Sequence, residues 1–175
     1  MRISVSLSLV LVLLAVSAST GAEDPAAALR LIRPKPAQMA KEFKVATPEK
    51  TQLRLSDFKG KVIFLNFWAT WCEPCKEEMP AMERLYQKYR DRGLLVLAIS
   101  VDTEGAAVVT PFVKKYKFTF RIGLDPRMSV TSLYGVWAVP STFIIDREGK
   151  RILFATGPRE WDGAASHALF DSLLR

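Results

Sequence analysis

The sequence predicts an α/β fold, a mixed central sheet flanked by helices in a sandwich, with an N-terminal extension. Three observations predict it. Residues 62–68 are a nearly all-apolar run of strand length, and 94–101 are a second. Met82, Leu85, Tyr86 and Tyr89 recur between them at helical spacing. Two further apolar runs, 142–145 and 151–154, flank a polar turn and precede a last helical pattern. The order is β-α-β, then an αβ connection, then β-β-α, which packs helices on a mixed sheet.

Residues 1–22 read as a signal peptide. Met1 and Arg2 are the positive start, Ile3 to Val16 the apolar stretch, and Thr20, Gly21 and Ala22 the small residues before a cut. An uncleaved anchor is the competing reading, although the stretch is shorter than the ~20 apolar residues that span a bilayer comfortably. Residues 23–41 hold Pro25, Pro34 and Pro36 and read as a linker or loosely packed lead-in. The main domain is then expected over 42–175. Residues 43–55 alternate weakly and suit two short strands, and 56–60 read as a turn.

The run 62–68 fits a central strand covered on both faces. The helical pattern 77–92 stops at Gly93. The run 94–101 is the second buried strand. Val109, Phe112, Val113 and Tyr116 have helical spacing, with Pro111 either starting or kinking that helix. Residues 146–150 include Gly149 and read as a hairpin turn. Asp162 can cap a last helix that places Ala165, Leu169 and Leu173 on one face.

The chain has 175 residues, 49% of them hydrophobic, enough for a core without disulfide staples. Its net charge is +7, but no block of basic residues and no nucleic-acid motif occurs. There are only two cysteines, in Cys72-Glu73-Pro74-Cys75. A bridge closing so small a loop constrains the unfolded chain little, which argues against a purely structural disulfide. The motif lies where the strand 62–68 ends and a helix begins. A helix start presents free N–H groups and the positive end of the macrodipole, and both stabilise a thiolate. The thiolate is the nucleophile. Cys72, at the exposed helix start, is expected to attack, and Cys75, one turn further in, to resolve the mixed disulfide. CxxC opening a helix inside a βαβ unit is a strong redox signal.

Residues 66–80, from Asn66 through Trp71, Cys72, Glu73, Pro74 and Cys75 to Pro80, resemble the signature of the TlpA-like thioredoxin family. That family includes the reductases of cytochrome c maturation. The resemblance extends over residues 40–175, with Leu55 to Lys61 before the strand and Val139-Pro140-Ser141-Thr142-Phe143 later. It implies a thioredoxin-like fold, Pro140 as a cis-proline facing the active site, and Trp71 and Val139 along the substrate groove. It also implies that Glu78 sits beside the cysteines and tunes their protonation. Glu78 lies three residues after Cys75, on the same side of the helix. A carboxylate there disfavours a second negative charge and can pass protons. Asn66 stands where other thioredoxins hold a buried aspartate, so proton handling would fall to Glu78.

Glu73 and Pro74 occupy the positions that tune the redox pair, and Glu73 disfavours thiolate, which favours a reducing protein. The expected activity is thiol–disulfide exchange on protein disulfides in the periplasm or an equivalent extracytoplasmic space. The family points to apocytochrome c or copper-insertion proteins as substrates and to a membrane-embedded thiol carrier as electron donor. A disulfide-forming oxidant and a Cu(I)-binding module are the rival readings. No cofactor is expected, and zinc would need about four ligands, which one His and two Cys cannot supply. His167, the only histidine, reads as a surface residue.

Overall fold

A computed structural model describes residues 23–175. The leader read over residues 1–22 lies outside the described residues. In chain order the first elements are α1 (Pro25–Ala28), β1 (Gln38–Met39), β2 (Lys44–Ala46), β3 (Gln52–Arg54), β4 (Val62–Trp68) and α2 (Glu73–Tyr89). Then come β5 (Leu94–Ser100), α3 (Ala106–Tyr116), β6 (Arg121–Leu124), α4 (Ser129–Leu133), β7 (Ser141–Ile145), β8 (Lys150–Thr156) and α5 (Ala164–Leu173).

The strands form one mixed sheet in the order β1-β8-β7-β4-β5-β6-β2-β3. β4 pairs in parallel with β5, from Val62 opposite Leu94 to Trp68 opposite Ser100, and antiparallel with β7. Every residue of β4 and β5 is buried. Alternation sorts their side chains between two cores. Phe64 and Trp68 face a core shared with Met79, Met82 and Leu85 of α2, Val109 of α3 and Phe170 of α5. Ile63, Leu65 and Phe67 face a second core with Val130 of α4, Tyr134 and Phe143. Each such side chain contributes roughly 1.5–3 kcal/mol when fully buried. Asn66 falls on the α2 side of β4, which is what brings it to the site.

The helix after the cysteine turn ends as expected. A short 3-10 turn, Arg90–Arg92, leads to Gly93 at φ 101°, a conformation glycine adopts without steric cost. The chain then enters β5 directly.

Several expectations need correction. Residues 23–41 are packed rather than loose: Ala26, Leu29 and Leu31 are buried in the α2-side core, Ile32 bridges Phe154, and β1 extends the sheet beyond β8. The proline-rich composition hid this, because the elements are two and four residues long. The turn at 56–60 begins as a 3-10 helix, Leu55–Phe58. Of the two readings of Pro111, the helix start is overturned, because α3 starts at Ala106 and Pro111 lies inside it. Asp162 does not cap α5, whose N-cap is Gly163 without a side-chain bond. Its carboxylate instead accepts from Arg84 Nε at 2.5 Å and lies 3.3 Å from His167 Nε2. His167 is accordingly half-buried, with Nδ1 3.3 Å from the Tyr89 hydroxyl.

Candidate active site

β4 ends at the buried Trp68, and residues 69–71 carry the chain outward to the exposed Trp71 and into α2. Asp102, just beyond β5 and 1% exposed, fixes this turn. It accepts from the Thr70 N–H at 3.0 Å, from the Thr70 hydroxyl at 2.6 Å and from the Ser100 hydroxyl at 2.7 Å. Cys72 is the N-cap of α2, Glu73 and Pro74 are its first residues, and Cys75 follows one turn in. Pro74 fits because the first helical turn has no use for its missing N–H.

Cys72 and Cys75 are joined in a disulfide. The Cys75 N–H donates to Cys72 Sγ at 3.3 Å, one of the free donors of the helix start directed at the sulfur. Cys75 is wholly buried and Cys72 is 5% exposed, so the oxidised pair is more enclosed than the exposed helix start expected for Cys72. The order of access is as expected, with Cys72 the outer sulfur. Trp71 is 64% exposed beside it. Glu73 is exposed and forms an ion pair with Lys76. That pairing offsets part of the charge that Glu73 presents to the sulfurs, and as an exposed pair it contributes little energy.

Glu78 is one helical turn beyond Cys75 and only 4% exposed, unlike its exposed neighbour Glu77. Its Oε1 accepts from Asn66 Nδ2 at 3.0 Å. Its Oε2 accepts from the Arg159 backbone N–H at 3.1 Å and from Trp161 Nε1 at 3.0 Å. Burial pushes its carboxyl up from 4.5 to about 7, while the three donors hold it back. A carboxyl poised near neutrality can both take and give a proton under ordinary conditions. Asn66 also donates to the Thr142 hydroxyl at 3.0 Å, which ties β4, β7 and α2 together at this point.

Sequence reasoning did not find Arg159 or Trp161. They lie 81 and 83 residues from Glu78, and no local pattern connects them. The Val139–Pro140 bond is cis. Pro140 precedes β7, whose Ser141 pairs with Phe67 of β4, so it stands beside the strand end from which the cysteine turn leaves. Val139 is half-buried and packs against both cores. Trp137, also missed, is 84% exposed in the loop before it.

Residues 36–151 match the AhpC/TSA family. The chain belongs to that family. Within it, the chain is similar to the thiol-disulfide oxidoreductase ResA of Bacillus thuringiensis, 43% identical over 113 residues. That stretch is 65% of this chain and 65% of the relative's length. The ResA of Geobacillus thermodenitrificans is 39% identical over 128 residues, 73% of each chain. Among solved structures, a Chlorobium tepidum chain described as a candidate thiol:disulfide interchange protein DsbE superposes with a TM-score of 0.73 at 32% identity. The match covers 79% of this chain and 97% of that one. The AhpC/TSA protein described here thus has the thioredoxin-like fold, with a mixed sheet flanked by helices, that its sequence predicts.

The buried carboxyl makes a stability prediction for this family member. The Glu78 pKa is raised on folding, so its contribution is fully present below the unfolded value of 4.5 and is lost as pH rises through about 7. At ~1.4 kcal/mol per pH unit, the oxidised wild type should lose up to about 3 kcal/mol across this window. Glu78→Gln should not show that loss. Denaturant unfolding at several pH values measures it, and parallel pH profiles for the two proteins would contradict the buried-acid assignment.

Proposed function

We propose that the protein is a thiol–disulfide oxidoreductase that reduces protein disulfides outside the cytoplasm. The observation that carries the reading is the Cys72–Cys75 pair opening α2, with the buried Glu78 one turn away. In the reduced protein, the Cys72 thiolate attacks a substrate disulfide. One substrate sulfur leaves as thiolate, and Cys72 is held in a mixed disulfide. Cys75 then loses its proton to Glu78 and attacks Cys72 Sγ, which releases the second substrate sulfur. The substrate gains two electrons and the protein is left with the disulfide described above. Asn66, Trp161 and the Arg159 N–H hold the Glu78 carboxylate in place for this transfer. Trp71, Val139 and the cis Pro140 line the groove that receives the substrate chain, and Glu73 and Pro74 tune the pair.

The relatives named ResA and DsbE support exchange chemistry as the activity. The likeness to the cytochrome c maturation reductases supports apocytochrome c or a copper-insertion protein as substrate, and a membrane-embedded thiol carrier as donor. The apolar leader at 1–22 supports an extracytoplasmic location, by cleavage or by anchoring. Among the described residues, no helix is long and apolar enough to cross a membrane.

The direction of exchange follows from what surrounds the sulfurs. A strongly oxidising disulfide needs a stabilised thiolate. Here the buried ionisable group one helical turn from Cys75 is an acid, and Glu73 adds no cation. The reduction potential should therefore lie nearer thioredoxin's ~−270 mV than DsbA's ~−120 mV. Equilibration with glutathione buffers measures it, and a value near the oxidising end would reverse the assignment to a disulfide-forming oxidant.

A further inference from the structure

The Arg159 side chain gathers five backbone carbonyl oxygens from two separate segments of the chain. Its guanidinium donates only to backbone carbonyl oxygens. Nε donates to the Leu29 carbonyl at 2.7 Å and Nη2 to the Arg30 carbonyl at 3.2 Å. Nη1 donates to the carbonyls of Thr156, Gly157 and Pro158 at 3.3, 3.1 and 2.8 Å. The first two acceptors belong to the N-terminal extension; Thr156 ends β8, and Gly157 and Pro158 begin the loop that follows it. The same residue's backbone N–H donates to Glu78, and Trp161, two residues on, donates to it as well.

The extension is seated for this contact. Asp24 accepts from the Ala26 N–H at 3.1 Å and pairs with Arg33 at 2.9 Å. Ala26 and Leu29 are buried in the same core as Trp161 and Phe170. Arg30, at φ 52°, turns the chain where its carbonyl meets the guanidinium. Without a clamp, the loop 157–160 would have few ties, because Pro158 and Glu160 are exposed. A loosened loop would let water reach the carboxyl.

We infer that Arg159 is a positioning residue for Glu78, and that by clamping the N-terminal extension onto the loop 157–160 it makes that extension part of the redox centre. The inference rests on the proposed exchange function for its consequence, but not for its test. The charged group facing Glu78 is the Arg159 guanidinium; the cysteine pair on its own helix is a disulfide and carries no charge in the oxidised protein. β4 and β7 present the neutral Asn66 and Thr142, and the loop adds the neutral Trp161. A loosened clamp changes both sides of the balance on this carboxyl: admitted water relieves the burial that raises its pKa, while loss of the Arg159 and Trp161 donors and of the guanidinium charge removes what lowers it, so its titration midpoint should shift.

The test reads Glu78 directly, by carbon-13 NMR titration of its carboxyl in the oxidised full chain. Glu78→Gln identifies the signal by its absence. Arg159→Gln should shift the midpoint, since the burial and the donors that set it both depend on the clamp. Leu29→Asp unseats the extension without touching Glu78 and should move the midpoint the same way. The double variant should move it no further than the larger single shift, because both changes break one clamp. A midpoint that stays put in Arg159→Gln while the melting temperature falls would make Arg159 a fold-stabilising residue only and overturn the inference. A shift in Arg159→Gln with none in folded Leu29→Asp would overturn the part assigned to the extension. Thiolate-normalised rates of re-reduction by a small dithiol, measured on the same proteins, test the exchange role separately. If NMR midpoints move and rates do not, the proton role of Glu78 fails and the clamp stands.

Discussion

Cys75→Ser is expected to abolish catalytic turnover while leaving the first attack intact. The reason is the division of labour built into the start of α2. Cys72 is the N-cap and the outer sulfur, whereas Cys75 is wholly buried one turn inside. Removing the inner thiol removes the only group positioned to attack Cys72 Sγ, so the mixed disulfide with substrate cannot be resolved internally. It should accumulate as a covalent adduct that reductant releases. Cys72→Ser should trap far less, since its remaining thiol has no exposed surface. Non-reducing gels of cells carrying each variant compare the two, and mass spectrometry of the adducts names the substrates. Trapped c-type apocytochromes and trapped copper-insertion proteins would point to different physiological roles for one chemistry. If Cys75→Ser captures nothing under conditions where the wild type is reduced and turning over, the exchange mechanism is wrong. A Cu(I)-binding role for the two thiolates then becomes the better reading.

The parts of this site that were legible in the sequence are those built from short stretches of chain. The cysteine pair, the strand before it and the helix after it lie within 28 residues of each other, from Val62 to Tyr89. Apolar runs and helical spacing report such elements directly. Gly93 was legible because a left-handed helix end has few alternatives to glycine. The role of Pro140 comes from the resemblance, and that of Glu78 from the resemblance together with its spacing after Cys75, while the cis bond and the burial are seen only in the structure. What spacing could not reveal is everything that meets across the fold. Asn66 was noticed as a departure from other thioredoxins, but its bond to Glu78 depends on β4 facing α2. Trp161 reaches the carboxyl across 83 residues. The lead-in resembles a linker in sequence for a different reason. β1 has two residues and α1 four, too few for any periodicity, and three prolines mimic a linker. In sequence Asp162 reads as a cap because Asp is a good cap in general. Its actual partner, Arg84, is 78 residues away.

The second large effect is expected in re-reduction of the disulfide. A small dithiol should attack Cys72 Sγ, the more accessible sulfur, and expel Cys75 as the leaving group. A thiolate departing into a wholly buried position is costly unless it is protonated as it forms. Glu78 in its acid form is the group placed to do this, and its pKa of about 7 means that it holds its proton below neutrality and loses it above. The sign is therefore opposite to the reagent's own dependence. Raw rates rise with pH because more reagent is thiolate, so the informative quantity is the rate per reagent thiolate. For the wild type this quantity should fall as pH rises through about 7. For Glu78→Gln it should be flat with pH and lower below neutrality, by roughly 10²-fold, which is the usual contribution of one positioned acid. Gln keeps an amide oxygen that can still accept from Asn66 or Trp161, so the helix start should stay folded. Stopped-flow tryptophan fluorescence follows the reaction, since Trp71 and Trp68 flank the turn leading to the disulfide. Superimposable thiolate-normalised profiles for the two proteins would remove Glu78 from proton transfer. The low solvent access of the site would then have to supply the pH dependence through Cys75 alone.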